Sequence, residues 1–374
     1  MPADEAAATF IVRRDDLRQF KTVPLERRAL DDGEVELSVD RFAFTSNNVT
    51  YGALGEMLSY WNFFPTGLDG WGTIPVWGFG TALRSKHPAI AIGERFFGYY
   101  PMATRLIAVA SAPTLAGFVD GAAHRQPMSA IYNRYQRTTA DPNYRVEDEP
   151  LLMLYRPLFG TAFFLDDLIA ESSFFEAKSL IFSSASSKTA YSTAFLLSER
   201  KRGGAEIEIV GLTSSANLGF VNQLGVYDRV VTYDGIAELK RQPAAFFDVA
   251  GSAAVRAAVH HHFANALTHS SIIGRTHWNE TASGSLEKLP GAEPTMFFAP
   301  SWIQKRTKEL GPEAVQARYG QAWRSLLGML ADPAKGWLEI VEGSGPPAVE
   351  KTYREALEGR FKPAQGHVLS LRDR

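Results

Sequence analysis

The sequence predicts an α/β protein built around a doubly wound parallel sheet, with a mainly β segment before it. Three observations carry this. From about Tyr155 to Phe297, short apolar runs alternate with stretches of helical length, and strand after helix after strand implies parallel pairing through right-handed crossovers. Earlier, "GEVELSVDRFAFTS" (33–46) alternates apolar and polar residues and then turns wholly apolar, as a strand entering a core does. At 374 residues the chain is too long for one ordinary core and suits two domains.

In chain order, residues 47–80 are rich in Asn, Gly, Trp and Phe without a helical period, and are expected to be loop and short strand. "AIAIGERFFGYYPMATRLIAV" (89–109) reads as two strands around a turn at Gly93, and the polar residues 122–149 as a long loop or lid. The central segment then runs "KSLIFSSA" (strand), "KTAYSTAFLLSERK" (helix), "AEIEIVGLTS" (strand), "ANLGFVNQLG" (helix), "DRVVTYD" and "PAAFFDVAG" (strands), "SAAVRAAVHHHFANAL" (helix) and "HSSIIGR" (strand). After Phe297 the chain is helical and amphipathic, and it closes with "VEKTYREALEGRFKPAQGHVLSLRD". There is no internal repeat and no low-complexity tract.

Composition narrows the function classes. Lys+Arg number 39 against Asp+Glu 41, which disfavours a nucleic-acid binder and leaves small molecules as the default partner. Cysteine is absent, so disulfides, thiolate nucleophiles and cysteine-ligated zinc are excluded. Neither a signal-like N-terminus nor a run near the ~20 apolar residues of a membrane span is present, so a soluble cytoplasmic protein is expected.

These pieces, in this order, resemble the medium-chain dehydrogenase/reductase superfamily, and within it a diverged bacterial subgroup of the zinc-free quinone oxidoreductase and enoyl reductase branch. "AIAIGERFFGYY" is similar to that family's Gly-Asp-Arg-Val-Phe-Gly turn, "LGVYDRVVTYD" to its Leu-Gly-Ala-Asp-x-Val element, "FFDVAGSAAV" to its strand ending in Asp-x-x-Gly, and "GHVL" to its last strand. The resemblance implies a Rossmann sheet inserted in a mainly β, GroES-like catalytic domain: residues 1–154 and 298–374 would form the catalytic domain, 155–297 the cofactor domain, and the site would lie in the cleft between them. It also implies a homodimer through the last strand of the cofactor sheet.

The family's phosphate turn, roughly Gly-Ala-Ser-Gly-Gly-Val-Gly, corresponds here to Ser184, Ala185, Ser186, Ser187, Lys188, Thr189 and Ala190. Every glycine is replaced. Small hydroxyl residues still permit close approach and donate hydrogen bonds, and Lys188 adds positive charge at a helix start; the bland alternative is that the serines only cap the helix. An NAD site needs a carboxylate at the end of the second strand. Gly211 stands where it is expected, followed by Thr213, Ser214, Ser215 and Asn217, so NADP(H) is the expected cofactor. Gly251, Ser252 and Gly274 fall where relatives pass the nicotinamide half.

The zinc ligand sets of the superfamily have no counterpart, with Trp77, Gly78 and Phe79 standing where a ligand histidine is needed. His260, His261 and His262 point about 100° apart on a helix and cannot converge on one ion; a solvated helix end is expected for them. On the substrate side, "TSNNVTYG" supplies Asn48, Thr50 and Tyr51, with Asn47 as alternate, to hold a substrate oxygen or supply a proton; bonding to the local backbone is the competing reading. The aromatic set Tyr60, Trp61, Phe63, Phe64, Trp71, Trp77 and Phe79 points to an apolar small-molecule substrate, with at least half of it expected to be core. The implied activity is NADPH-dependent, zinc-independent hydride transfer to an activated C=C of an unsaturated carbonyl or acyl compound, or to a quinone. The alternative is a catalytically silent ligand-binding protein whose phosphate turn has decayed.

Overall fold

A computed structural model describes residues 7–128, 130–142, 144–273, 289–332 and 338–373. Contacts divide the chain into two units, Met1–Leu154 with Glu339–Arg374, and Tyr155–Leu338.

The first unit opens with strands β1 (Ala8–Arg13), β2 (Phe20–Pro24) and β3 (Glu34–Phe44), then helix α1 (Ser46–Ala53) and strands β4 (Trp71–Gly72), β5 (Pro75–Ser85), β6 (Arg95–Pro101), β7 (Arg105–Thr114), β8 (Gly117–Asp120) and β9 (Arg134–Arg137). Six of these close on themselves in the order β3-β5-β6-β9-β8-β7, with β7 pairing back to β3, and every pairing is antiparallel. Closure leaves no open edge in this ring. It also requires close strand approach, for a Cβ on Gly78 would lie 2.5 Å from the carbonyl oxygen of Arg41.

Two expectations fail here. Residues 46–53 are a helix, not loop: the Asn48 side chain accepts from the amide of Thr45 at 2.8 Å and caps the first turn, while Val49 and Tyr51 are buried. The strands of 89–109 do not meet at Gly93, which turns the chain between β5 and β6 with φ +90°. The bend between β6 and β7 is at residues 102–104.

Helix α2 (Glu149–Glu171) leads into the second unit, which holds β10 (Ser179–Phe182), α3 (Lys188–Arg202), β11 (Glu208–Thr213), α4 (Leu218–Leu224), β12 (Arg229–Thr232), β13 (Ala244–Asp248), α5 (Ala253–Phe263), β14 (Leu267–Ile272), β15 (Thr295–Met296), α6 (Ala299–Leu310) and α7 (Pro312–Leu330). The sheet order is β12-β11-β10-β13-β14-β15, all parallel. Numbered within the sheet this is 3-2-1-4-5-6, the doubly wound dinucleotide-binding order, whose switch point lies between β10 and β13. Ile181, Leu212, Phe246, Val259 and Phe263 pack its core. Residues 298–338, assigned from the sequence to the first domain, fall in this unit, where Trp323 of α7 meets Phe159 of α2 with ring centroids 5.2 Å apart.

The chain returns to the first unit with β16 (Glu339–Ser344), α8 (Gly345–Leu357) and β17 (Gln365–Ser370). Strand β17 pairs antiparallel with β3, and Tyr353 of α8 packs against Phe10 and Phe20 while its hydroxyl donates to the carbonyl of Leu17. Both ends of the sequence therefore build one unit.

Candidate active site

The turn after β10 bends where a glycine is normally needed. Ser184 has φ +49°, the left-handed region that costs a side-chain-bearing residue about 1–2 kcal/mol. Tyr233 and Tyr227 hold this bend: the amide of Ser184 donates to the Tyr233 hydroxyl at 3.1 Å, and the Tyr227 hydroxyl donates to the carbonyl of Ala185 at 3.0 Å. The amide of Ala185 donates to Leu212, and that of Ser187 to Ser184. Ser187 then caps α3, its Oγ accepting from the amide of Ala190 at 3.3 Å. Among the described residues the amides of Ser186 and Thr189 meet no acceptor. These are two unengaged N–H groups in the first turn of a 15-residue helix that follows β10, one of the two strands at the switch point, and free amides at a helix N-terminus are donors an anion can accept from.

Lys188 begins the helix, half-buried, with its Nζ 5.7 Å from the ring centroid of Tyr155. Burial lowers its amine to a pKa of about 8. Tyr155 and Tyr191 share a hydrogen bond of 2.6 Å beside it. The loop after β11 joins the same place, because Asn217 donates from Nδ2 to Ser186 Oγ at 3.3 Å.

Gly211 is not the position the sequence reading gave it. It lies inside β11, two residues before the strand ends, and a Cβ there would sit 2.9 Å from the Cβ of Ala185. Its smallness serves packing beneath the turn. The strand end proper carries Thr213, Ser214 and Ser215, again without a carboxylate. Thr213 is 1% exposed and turned into the protein, whereas Ser214 is half-buried and Ser215 exposed.

Across the switch point, Ser183 Oγ donates to Asp248 Oδ1 at 2.8 Å and accepts from the amide of Ala250. Gly251, with φ +67°, donates its amide to the same carboxylate, and Arg256 pairs with the other oxygen at 2.7 Å. Burial raises the Asp248 pKa, and the bond from Ser183 and the charge of Arg256 oppose it. Ser252 caps α5. Gly251 and Ser252 thus build the turn after β13. Gly274 lies outside the described residues.

Of the histidine run, His260 departs from its expected solvated place. It is wholly buried, with Nδ1 bonded to the carbonyl of Pro290 and Nε2 to Ser270 Oγ, both at 2.9 Å. His261 is exposed and His262 bonds the carbonyl of Leu239. Among the described residues no three His, Asp or Glu side chains converge as metal ligands would.

In the first unit, α1 sorts the nominated residues. Asn48 is 4% exposed and both ends of its amide are engaged, Oδ1 by Thr45 and Nδ2 by the carbonyl of Pro75 at 3.0 Å. The backbone-bonding reading therefore holds for Asn48. Asn47, three and four residues before Thr50 and Tyr51, shares their helix face, and its side chain lies at the Tyr51 hydroxyl. Burial pushes the Tyr51 phenol well up, so it stays protonated. Of the seven aromatics, Trp61, Phe63, Phe64 and Phe79 are core, while Tyr60, Trp71 and Trp77 are half-buried. Tyr227 and Tyr233 are invisible as site residues in the sequence, since only tertiary contact brings them to the Ser184 bend.

A family model described as "Protein of unknown function (DUF2855)" matches residues 42–362. The chain belongs to this family. No curated protein matches this DUF2855 member. Among solved structures it is similar to CurA from Vibrio vulnificus in complex with NADPH, with 12% identity, a TM-score of 0.63, and coverage of 98% of this chain and 100% of that one. The yhdH oxidoreductase from Salmonella enterica in complex with NADP gives 13%, 0.51, 97% and 99%, and the CurK enoyl reductase 12%, 0.54, 98% and 99%. At such identities the likeness is one of fold, and the fold of the DUF2855 member is that of the medium-chain dehydrogenases/reductases.

Proposed function

We propose that this DUF2855 member is an NADPH-dependent oxidoreductase that reduces an activated C=C of an unsaturated carbonyl or acyl compound, or a quinone, without zinc. The observation that carries the reading is the pair of unengaged amides, Ser186 and Thr189, at the head of α3 in a 3-2-1-4-5-6 sheet. The residues fit a dinucleotide diphosphate: Ser184 holds the glycine-like bend, the two amides donate, and Lys188 supplies charge. A hydroxyl-lined strand end, Ser214 and Ser215 without a carboxylate, suits a 2′-phosphate better than a bare ribose. The bound nicotinamide would supply hydride. Tyr51, kept protonated by burial, is the proposed donor to a substrate oxygen, with Thr50 and Asn47 on the same face. That fold relatives were crystallised with NADPH or NADP supports the cofactor.

Exposed Met296 and Phe298 beside edge strand β15 support a homodimer formed there. No helix of the described residues is long and apolar enough to cross a membrane, and a soluble cytoplasmic enzyme remains the proposed setting.

The second reading, a silent binding protein, draws on Tyr233, whose hydroxyl already takes the Ser184 amide that a phosphate oxygen would otherwise accept from. Calorimetric titration with NADPH, NADH and ATP, followed by NADPH oxidation assays with quinones and enones, separates the two. Preferential NADPH binding with turnover is expected. Binding without turnover favours the silent protein, and no binding of NADPH overturns the cofactor assignment.

A further inference from the structure

Helices α2, α3 and α7 of the second unit enclose a cavity of about 480 Å³, within the roughly 300–1,000 Å³ of small-molecule sites. Buried Phe163 and Leu196, with half-buried Ala322, supply its apolar lining. The part of α3 that reaches it, residues 196–200, begins about 12 Å along the helix from Lys188 at a rise of ~1.5 Å per residue. The cavity is therefore separate from the phosphate turn. Its acidic side is already committed. Asp166 and Asp167 are adjacent buried carboxylates, each neutralised by its own arginine: Asp166 accepts from Nε and Nη2 of Arg200 at 2.8 and 2.7 Å, while Asp167 meets Nε of Arg306 and Nε1 of Trp302, both at 2.8 Å. Glu199, a third acid of the lining, is paired with Arg202.

Helix α7 brings the opposite chemistry. Arg318, Gln321 and Ser325 stand at i, i+3 and i+7 on one face of it, while Trp323, Leu326 and Met329 are buried. All three polar side chains are exposed and line the cavity, and none is in a hydrogen bond or ion pair among the described residues. Arg200 adds its Nη1, which the pair with Asp166 leaves over. The uncommitted groups are thus one guanidinium charge, an amide, a hydroxyl and a spare N–H. A ligand cation would have to pull Asp166 or Asp167 from its arginine, and breaking a buried pair is costly. An anion asks for no such exchange. A planar guanidinium meets a carboxylate in a two-bond fork, and one unpaired cation beside three acids suits a single negative charge better than a double one.

We infer that this cavity is a second ligand site, for a small monocarboxylate with an apolar body, whose carboxylate is held by Arg318 with Gln321 and Ser325 and whose body lies on Phe163 and Leu196. The site stands apart from the reductase reading, because binding there needs neither a dinucleotide nor turnover.

The test is a ligand-observed NMR titration of the full chain with phenylacetate, its neutral amide phenylacetamide, 2-phenylethylamine and phenyl phosphate, which share a ring and differ in charge. Phenylacetate should bind about tenfold or more tightly than phenylacetamide, and Arg318→Gln, a change at an exposed position, should weaken it by about tenfold, the effect of one lost charge-assisted pair. Ala322→Trp, which fills the cavity, should abolish binding, and Arg324→Gln, on another face of α7, should leave it unchanged. Added NADPH should not compete. Equal affinity for phenylacetate and phenylacetamide, tighter binding of 2-phenylethylamine or phenyl phosphate, an unchanged affinity in Arg318→Gln, or displacement by NADPH would each overturn the assignment. Phenylacetate binding lost in Arg318→Gln by a chain that ignores NADPH would support this site and overturn the reductase reading alone.

Discussion

Replacing Lys188 with methionine should make the protein more stable and worse at holding NADPH. Because burial lowers its amine from 10.5 to about 8, keeping it charged at neutral pH costs the fold roughly 3 kcal/mol. The Tyr155 ring, 5.7 Å away, returns about 0.5–1 kcal/mol of that as a cation–π contact. Methionine fills much of the same volume without the charge, so Lys188→Met should gain roughly 1–3 kcal/mol at pH 7. The sign with pH is fixed. Below about 8 the amine is protonated whether the chain is folded or not, and the full cost applies; between about 8 and 10.5 the unfolded chain binds more protons than the folded one, so wild-type stability rises with pH. Urea unfolding of both proteins should therefore show a gap at pH 7 that closes by about pH 10.5. A diphosphate at the helix start would pull the amine back toward its ordinary value, and without it the NADPH dissociation constant should rise about tenfold or more. A Lys188→Met protein that is less stable at pH 7, or that binds NADPH as wild type does, refutes the assignment of Lys188 to an anion site.

Ser214→Asp sets a carboxylate at the end of β11, and the repulsion of a 2′-phosphate by one nearby charge, about 1 kcal/mol per unit charge even in water, should weaken NADPH by tenfold or more while NADH, whose 2′-hydroxyl a carboxylate accepts from, binds as well as before or better; paired titrations check it. Gly211→Ala forces a methyl to within 2.9 Å of Ala185, and should cost about 1–3 kcal/mol, read as a lowered Tm. Arg125→Met strips the cation from Asp120, which is 2% exposed, so thermal denaturation should report a loss of about 3–5 kcal/mol and collapse of the Tyr132 loop onto a less ordered near-ultraviolet dichroism spectrum.

The doubly wound sheet was legible because its local cues agree with its tertiary ones: each strand is a short apolar run, and Ser187 and Ser252 both stand at helix starts and do cap them. Helix α1 was not legible. Asn, Thr and Gly are weak helix formers, and "SNNVTYGA" is helical through the Asn48 cap and the burial of Val49 and Tyr51. Helix α2 carries Pro157 inside its 23 residues, a position that composition alone does not mark as helical. At the site, the turn residues followed from order along the chain, but Gly211 was misplaced by two residues because strand ends are set by pairing with β12, not by composition.

Crystals of the protein grown with NADPH test the central claim most directly. Diphosphate oxygens should lie within hydrogen-bond distance of the amides of Ser186 and Thr189, with the 2′-phosphate beside Ser214 and Ser215. A cofactor bound elsewhere, or none at saturating concentration with the Ser184 bend still held by Tyr233, would contradict it.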